Sequence, residues 1–257
     1  MILALTNQKG GVGKTTLAVN LSAALAEKGL SVLLVDLDPQ ANASSGLGVR
    51  VSASRSLYAA LAGKRPPGDL IISTPYGVSL LPSSVDLAGG EVELLDLPDR
   101  EFLLRNILAD LSPRYDFVIL DCPPSLGILT VNALCAAEGV VIPLQCEYYA
   151  LEGLSLLVRT LRRVREGLNS GLFLFGIVLT MYDGRNRLSR EVAEEVRRHF
   201  RWTVFETLIP RTVRLSEAPS HGKPITAYEP RGRAAEAFRR LAEEVARRAR
   251  QKGQTIG

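Results

Sequence analysis

Short, nearly continuous apolar runs alternate along the chain with stretches in which apolar residues recur at helical spacing. The runs are MILAL at the start, SVLLVDLD from Ser31, VSLLP from Val78, FVILDCPP from Phe117, GVVIPLQ from Gly139, LFGIVLT from Leu174 and TVFETLIP from Thr203. A strand apolar on both sides belongs in a sheet covered by helices on both faces, so the pattern predicts buried parallel strands. Helical periodicity predicts helices over Thr15 to Lys28, Arg100 to Leu111, Leu151 to Gly167 and Ser189 to Phe200. The expected fold class is α/β, a doubly wound, mostly parallel sheet with helices on both faces.

No linker, internal repeat or low-complexity tract divides the chain, and GKRPPGD at Gly63 reads as a surface loop. One domain over residues 1–257 is expected, with 46% hydrophobic and 23% charged residues excluding the disordered class. The last stretch, from Arg233 to Lys252, places Ala234, Phe238, Leu241 and Val245 on one helical face. That face is too alanine-rich for a lipid-binding helix and is expected to pack on the core. The start has no basic leader, and no apolar run reaches the ~18 residues of a membrane span. A cytoplasmic protein is expected, without membrane attachment.

Charge changes the picture in one respect. Residues 1–180 carry a net charge of −3 and residues 181–257 a net charge of +7. A basic segment of this kind serves nucleic acid, an acidic membrane surface or plain solvation, and charge alone does not choose among them. Cys122, Cys135 and Cys146 have no C-x-x-C or histidine spacing, and read as buried free thiols.

The candidate chemistry begins directly behind the first strand, in NQKGGVGKTT from Asn7 to Thr16. Strand, glycine-rich loop and helix is the context of a phosphate-binding loop, although the plain pattern asks for glycine where Gln8 stands. Gly10, Gly11 and Gly13 let backbone N–H groups turn inward around a phosphate, Val12 lies within that turn, and the helix start adds its positive dipole end. Lys14 is expected to reach the β and γ phosphates, Thr15 to bind Mg²⁺ through its hydroxyl, and Thr16 to hydrogen-bond the α-phosphate. Asp36 and Asp38 end the second strand and face the crevice, and Asp121 ends another buried strand where a Walker B carboxylate organises Mg²⁺ and its waters. TMYD at Thr180 lacks the Asn and Lys of a guanine-reading N-K-x-D, so adenine is the expected base.

The loop KGGVGKT, with its second lysine, resembles the deviant Walker A ATPases. LLVDLDPQANASSGLG, LDCPPSLG, PLQCEYYALEGL, TMYDGR and IPRTVRLSEAPSHGKPI resemble the ParA/Soj branch over nearly the whole chain. The resemblance implies a P-loop NTPase fold and a Mg²⁺-dependent ATPase that is slow without a partner. It assigns Lys9 to the nucleotide of a partner subunit, so that an ATP-bound homodimer forms, and Asp38 to positioning the attacking water. It assigns Asp36 and Asp121 to the metal region, probably a misnomer for direct ligands since water intervenes, and adenine to Met181 with Pro210 and Arg211. Arg185 and Arg214 stand where such proteins present arginines to DNA without sequence preference. A ParB/Spo0J-type centromere-binding protein is the implied partner, and a nucleoid-associated protein the implied location. The start at the first strand implies no preceding helix-turn-helix domain. The other members of the superfamily to weigh are a MinD-like membrane-positioning ATPase and an electron-transfer ATPase of the nitrogenase-reductase type; the last helix argues against the first, and the absence of a suitable cysteine pair against the second.

Overall fold

The computed structural model describes residues 1–147, 150–201 and 203–254, with the backbone alone for residues 252–254. Tyr148 and Tyr149 of PLQCEYYALEGL lie outside the described residues. Seven strands form one sheet: β1 (Ile2–Leu5), β2 (Val32–Asp36), β3 (Ile72–Ser73), β4 (Val78–Leu81), β5 (Phe117–Asp121), β6 (Gly139–Gln145) and β7 (Phe173–Thr180). Their order across the sheet is β3-β4-β2-β5-β1-β6-β7. Every pairing is parallel except β3 with β4, which is antiparallel. The C-terminal ends of β1, β2 and β5 therefore lie side by side, with Leu5 opposite Asp121 and Asp121 opposite Asp36.

The helices, in chain order, are α1 (Lys14–Glu27), α2 (Asn42–Gly46), α3 (Leu57–Leu61), α4 (Leu87–Leu94), α5 (Leu103–Ala109), α6 (Ile128–Ala136), α7 (Ala150–Gly167), α8 (Arg187–His199), α9 (Val213–Glu217), α10 (Ile225–Tyr228) and α11 (Arg233–Gln254). Two apolar cores lie against the sheet, as its two-sided hydrophobicity requires. One is built with α5, α6 and α7, the other with α1 and α11. Ala234, Phe238, Leu241 and Val245 of α11 are at most 1% exposed and belong to the second core. The face that lipid would need is thus occupied by protein, and among the described residues no helix is long and apolar enough to cross a membrane.

One expected strand is not in the sheet. Residues 203–210 make isolated bridges to β7, Ile177 with Val204 and Tyr182 with Pro210. Between these bridges, the N–H groups of Glu206 and Thr207 donate to the Glu244 carboxylate of α11, at 3.0 and 3.2 Å. A side chain has replaced the ladder. The expected helix from Arg100 to Leu111 is a 3₁₀ turn, Arg100–Phe102, running into the shorter α5. The GKRPPGD loop leads into a 3₁₀ turn, Pro67–Leu70. All three cysteines are free and buried.

Candidate nucleotide site

The phosphate-loop candidate joins β1 to α1. Gly11 and Gly13 adopt φ of 76° and 88°, a region that favours glycine, so the turn cannot be built equally well from other residues. Two side chains pin the loop to the sheet. Asn7 donates to the Pro143 carbonyl at 2.8 Å and accepts from Lys9 N–H at 3.0 Å. Thr180, at the end of β7, donates to the Val12 carbonyl at 2.9 Å. Gln8, where the plain pattern has glycine, keeps a buried amide nitrogen without a hydrogen-bond partner.

Lys14 is buried, and its ammonium donates to the Lys9 carbonyl at 3.1 Å. Burial lowers its pKa, while the charges of Asp121 and Asp38 oppose the shift. Asp36 is fully buried: Oδ2 accepts from Ser44 N–H and Oγ at 2.8 and 2.7 Å, and Oδ1 from Asp38 N–H at 3.2 Å. Burial raises its pKa to about 6 against the pull of those hydrogen bonds. Ser44 Oγ also accepts from Ser83 N–H at 3.1 Å, so Asp36 ties the end of β2 to α2 and the segment after β4. Asp38 Oδ1 accepts from Gln40 N–H at 2.9 Å, a local turn that fixes the backbone and leaves Oδ2 for other work.

Asp121 is different. It is fully buried, and neither carboxylate oxygen has a hydrogen-bond partner. Burial raises its pKa well above the usual range, the charges of Asp36 and Asp38 add to the rise, and Thr15 and Lys14 oppose it. The Thr15 hydroxyl is near enough to act on Asp121 but outside hydrogen-bonding geometry. An orphaned carboxylate beside a threonine hydroxyl fits a hydrated Mg²⁺, whose waters donate to the carboxylate while phosphates complete the shell. Among the described residues no group of three or more His, Cys, Asp or Glu could hold a metal, consistent with a site finished by nucleotide and water.

Beside the loop opens a cavity of about 900 Å³ lined by Gly13, Thr16, Met181, Pro210, Arg211 and Arg185, among others. The structure therefore brings the predicted adenine residues together with the phosphate loop. Met181 has φ of 51°, a strained conformation at the end of β7. The backbone on either side is held by Tyr182 N–H donating to Ile209 O at 3.0 Å and Arg211 N–H to Tyr182 O at 3.1 Å. Asp183 accepts from Arg185 Nε and Nη2, each at 3.1 Å, and this pairing lowers its pKa to about 2. Arg214, on α9, donates to Glu217 at 2.9 Å and lies 3.5 Å from Glu229.

Lys9 does not join this cavity. It lines a separate groove with Glu152, Ser155, Leu156 and Arg159 of α7, and its ammonium meets Glu147 at 2.6 Å. Ser44, Thr180 and Glu147 carry no local motif, and sequence reasoning did not single them out. Each reaches its partner across the fold.

A phosphate loop with two lysines, carboxylates at adjacent parallel strand ends and an apolar base cavity together define a P-loop ATPase of the deviant Walker A class. A family model described as AAA domain matches residues 1–174. The chain belongs to the ParA/MinD family, within the ParA/Soj branch, and its chemistry is Mg²⁺-dependent ATP hydrolysis. It is 53% identical over 247 residues to the sporulation initiation inhibitor protein Soj of Bacillus subtilis, covering 95% of this chain and 98% of that one. It is 56% identical over 243 residues to the chromosome-partitioning ATPase Soj of Thermus thermophilus, covering 95% and 94%. A solved structure, cobyrinic acid a,c-diamide synthase from Mycobacterium smegmatis with bound ATP analogue and magnesium, superposes with a TM-score of 0.84 at 40% identity, covering 96% and 94%.

Proposed function

We propose that the protein is an ATP-dependent dimerising switch for chromosome or plasmid segregation. The ATP-bound homodimer binds double-stranded DNA without sequence preference, and hydrolysis, stimulated by a ParB/Spo0J-type partner, releases it. The observation that carries this reading is the shared wall of the nucleotide cavity: Arg185 lines it with Gly13 and Thr16, and Val213, next to Arg214, lines it too. Basic residues on the rim of the base cavity give nucleotide occupancy a short route to a phosphate-binding surface. Phosphate contacts alone suffice for binding without sequence preference.

In this reading Lys14 and the loop N–H groups hold the β and γ phosphates, Thr16 the α-phosphate, and Thr15 with Asp121 the hydrated metal. Asp36 supports the metal region through the Asp38 backbone and Ser44, and Asp38 orients the attacking water. Lys9 acts on the nucleotide of the partner subunit, where positive charge offsets the charge developing on the transferred phosphoryl group. Met181, Pro210 and Arg211 flank adenine. A membrane-positioning role is disfavoured because the apolar face of α11 is spent on the core.

Binding to non-specific duplex DNA without nucleotide, with ADP and with ATP tests the reading, with Lys9→Ala and Arg214→Glu as variants and anionic liposomes as the competing surface. The expected result is binding that requires ATP, fails in both variants and weakens with salt. Two arginines from each of two protomers correspond to a log–log salt slope of about −3.6, or an affinity loss of about 150-fold between 50 and 200 mM salt. ATP-dependent liposome binding without DNA binding would refute it.

A further inference from the structure

Most buried carboxylates of this protein have an evident structural return. Glu244, 4% exposed, accepts from the N–H groups of Glu206 and Thr207 and from Arg248 at 2.9 Å. Asp36 is similarly filled by Ser44 and Asp38. Glu91, half-buried on α4, is not: among the described residues it has neither a hydrogen-bond donor nor a cation paired with it. Burial and the charge of Asp38 both raise its pKa, so the carboxylate sits within electrostatic reach of Asp38. Placing a carboxylate away from water without a partner costs stability, and such groups gather where function needs them.

Its packing joins the two loops of the hydrolytic face. Oε1 of Glu91 stands 3.1 Å from where a side chain on Gly127 would begin, and Ser125 Oγ lies 3.6 Å from the same point. Gly127 closes the segment that leaves Asp121 at the end of β5. Asp38 lies on the segment that leaves β2. Glu91 thus touches one loop and acts electrostatically on the other, from a helix that belongs to neither. Gly127 has φ of −77°, open to any residue, so its lack of a side chain serves the approach of Glu91 rather than the backbone.

We propose that Glu91 is a positioning residue for ATP hydrolysis, holding the Asp38 loop and the 122–127 loop at their working separation and turning the Asp38 carboxylate away from α4 by like-charge repulsion. Glu91 does not touch nucleotide. Its effect passes through Asp38, and it belongs to the hydrolytic step whatever surface the switch engages.

The test is single-turnover hydrolysis of radiolabelled ATP by wild type, Glu91→Gln, Glu91→Asp and Gly127→Ala, with equilibrium ATP affinity and thermal melting measured alongside. Glu91→Gln is expected to slow hydrolysis about tenfold, the low end for outer-shell partners of a metal-assisted site, with ATP affinity within about twofold of wild type. Glu91→Asp keeps the charge and recovers part of the rate, and Gly127→Ala, which displaces the carboxylate without removing it, slows hydrolysis in the same direction. In an Asp38→Ala background, Glu91→Gln has no further effect. An unchanged rate in Glu91→Gln, a parallel loss of ATP affinity, or the same loss in the Asp38→Ala background overturns the assignment.

Discussion

Replacing Glu147 by glutamine removes the carboxylate that holds Lys9 within its own subunit while keeping the side chain's size. The Lys9 ammonium lies 2.6 Å from Glu147 Oε2, and the two side chains are 50% and 46% exposed. Such half-exposed pairs contribute about 0.2–1 kcal/mol each. A symmetric dimer that sends both lysines across the interface breaks two of them, about 0.4–2 kcal/mol in all. Glu147→Gln should therefore tighten the ATP-dependent dimer about 2- to 30-fold. Sedimentation equilibrium with a non-hydrolysable ATP analogue and Mg²⁺ reads this directly. The gain should shrink at 1 M salt, where the screening length falls to about 3 Å, and vanish in a Lys9→Ala background. An unchanged or weaker dimer would refute the idea that the pair competes with association, and would place Glu147 among the groups that build the interface.

Glu244→Ala leaves the Arg248 guanidinium and two backbone N–H groups without their acceptor, so a loss of about 3 kcal/mol is expected, read as a lower denaturant midpoint with unchanged slope. Asp36 gives a pH signature. Its folded pKa of about 6 lies above the model value of 3.8, so the native state holds the proton more tightly, and the stability this contributes is present below about pH 4 and lost as pH rises through 6. Relative to Asp36→Asn, the nucleotide-free wild type should lose up to about 3 kcal/mol between pH 4 and 7, measured by urea unfolding. A flat difference between the two proteins would contradict the buried, charge-penalised environment.

The parts of the fold that sequence reveals are those whose cause is local. Six apolar runs became strands because a strand buried on both faces is hydrophobic throughout, whatever its neighbours. The seventh, at Thr203, has the same composition but gives the N–H groups of Glu206 and Thr207 to Glu244, nearly forty positions away, and no local pattern announces that. The helix α4 was hidden by Gly89 and Gly90. A side chain on Gly90 would meet the Tyr58 ring at 2.6 Å, so packing rather than helix propensity chose the residue. In the site, the glycine loop and the strand-end aspartates stand in short motifs. The Thr180 hydroxyl on the Val12 carbonyl, the Ser44 contacts of Asp36 and the approach of Glu91 to Gly127 come from chain crossings that only the folded molecule defines.

The two margins of the sheet bear on how copies of the chain can meet. On one side β3 offers only Ile72 and Ser73, too short a template for another strand. On the other, the backbone of residues 203–211 is bonded to Ile177, Leu179 and Tyr182 along the outer side of β7. Strand addition is therefore closed to a second copy, and association falls to side chains, loops and bound nucleotide. Such a joint has no shared backbone ladder to unzip. Its lifetime can follow the chemistry of one phosphate, and the pair can part as readily as it forms, without the irreversible stacking to which open β-edges are prone.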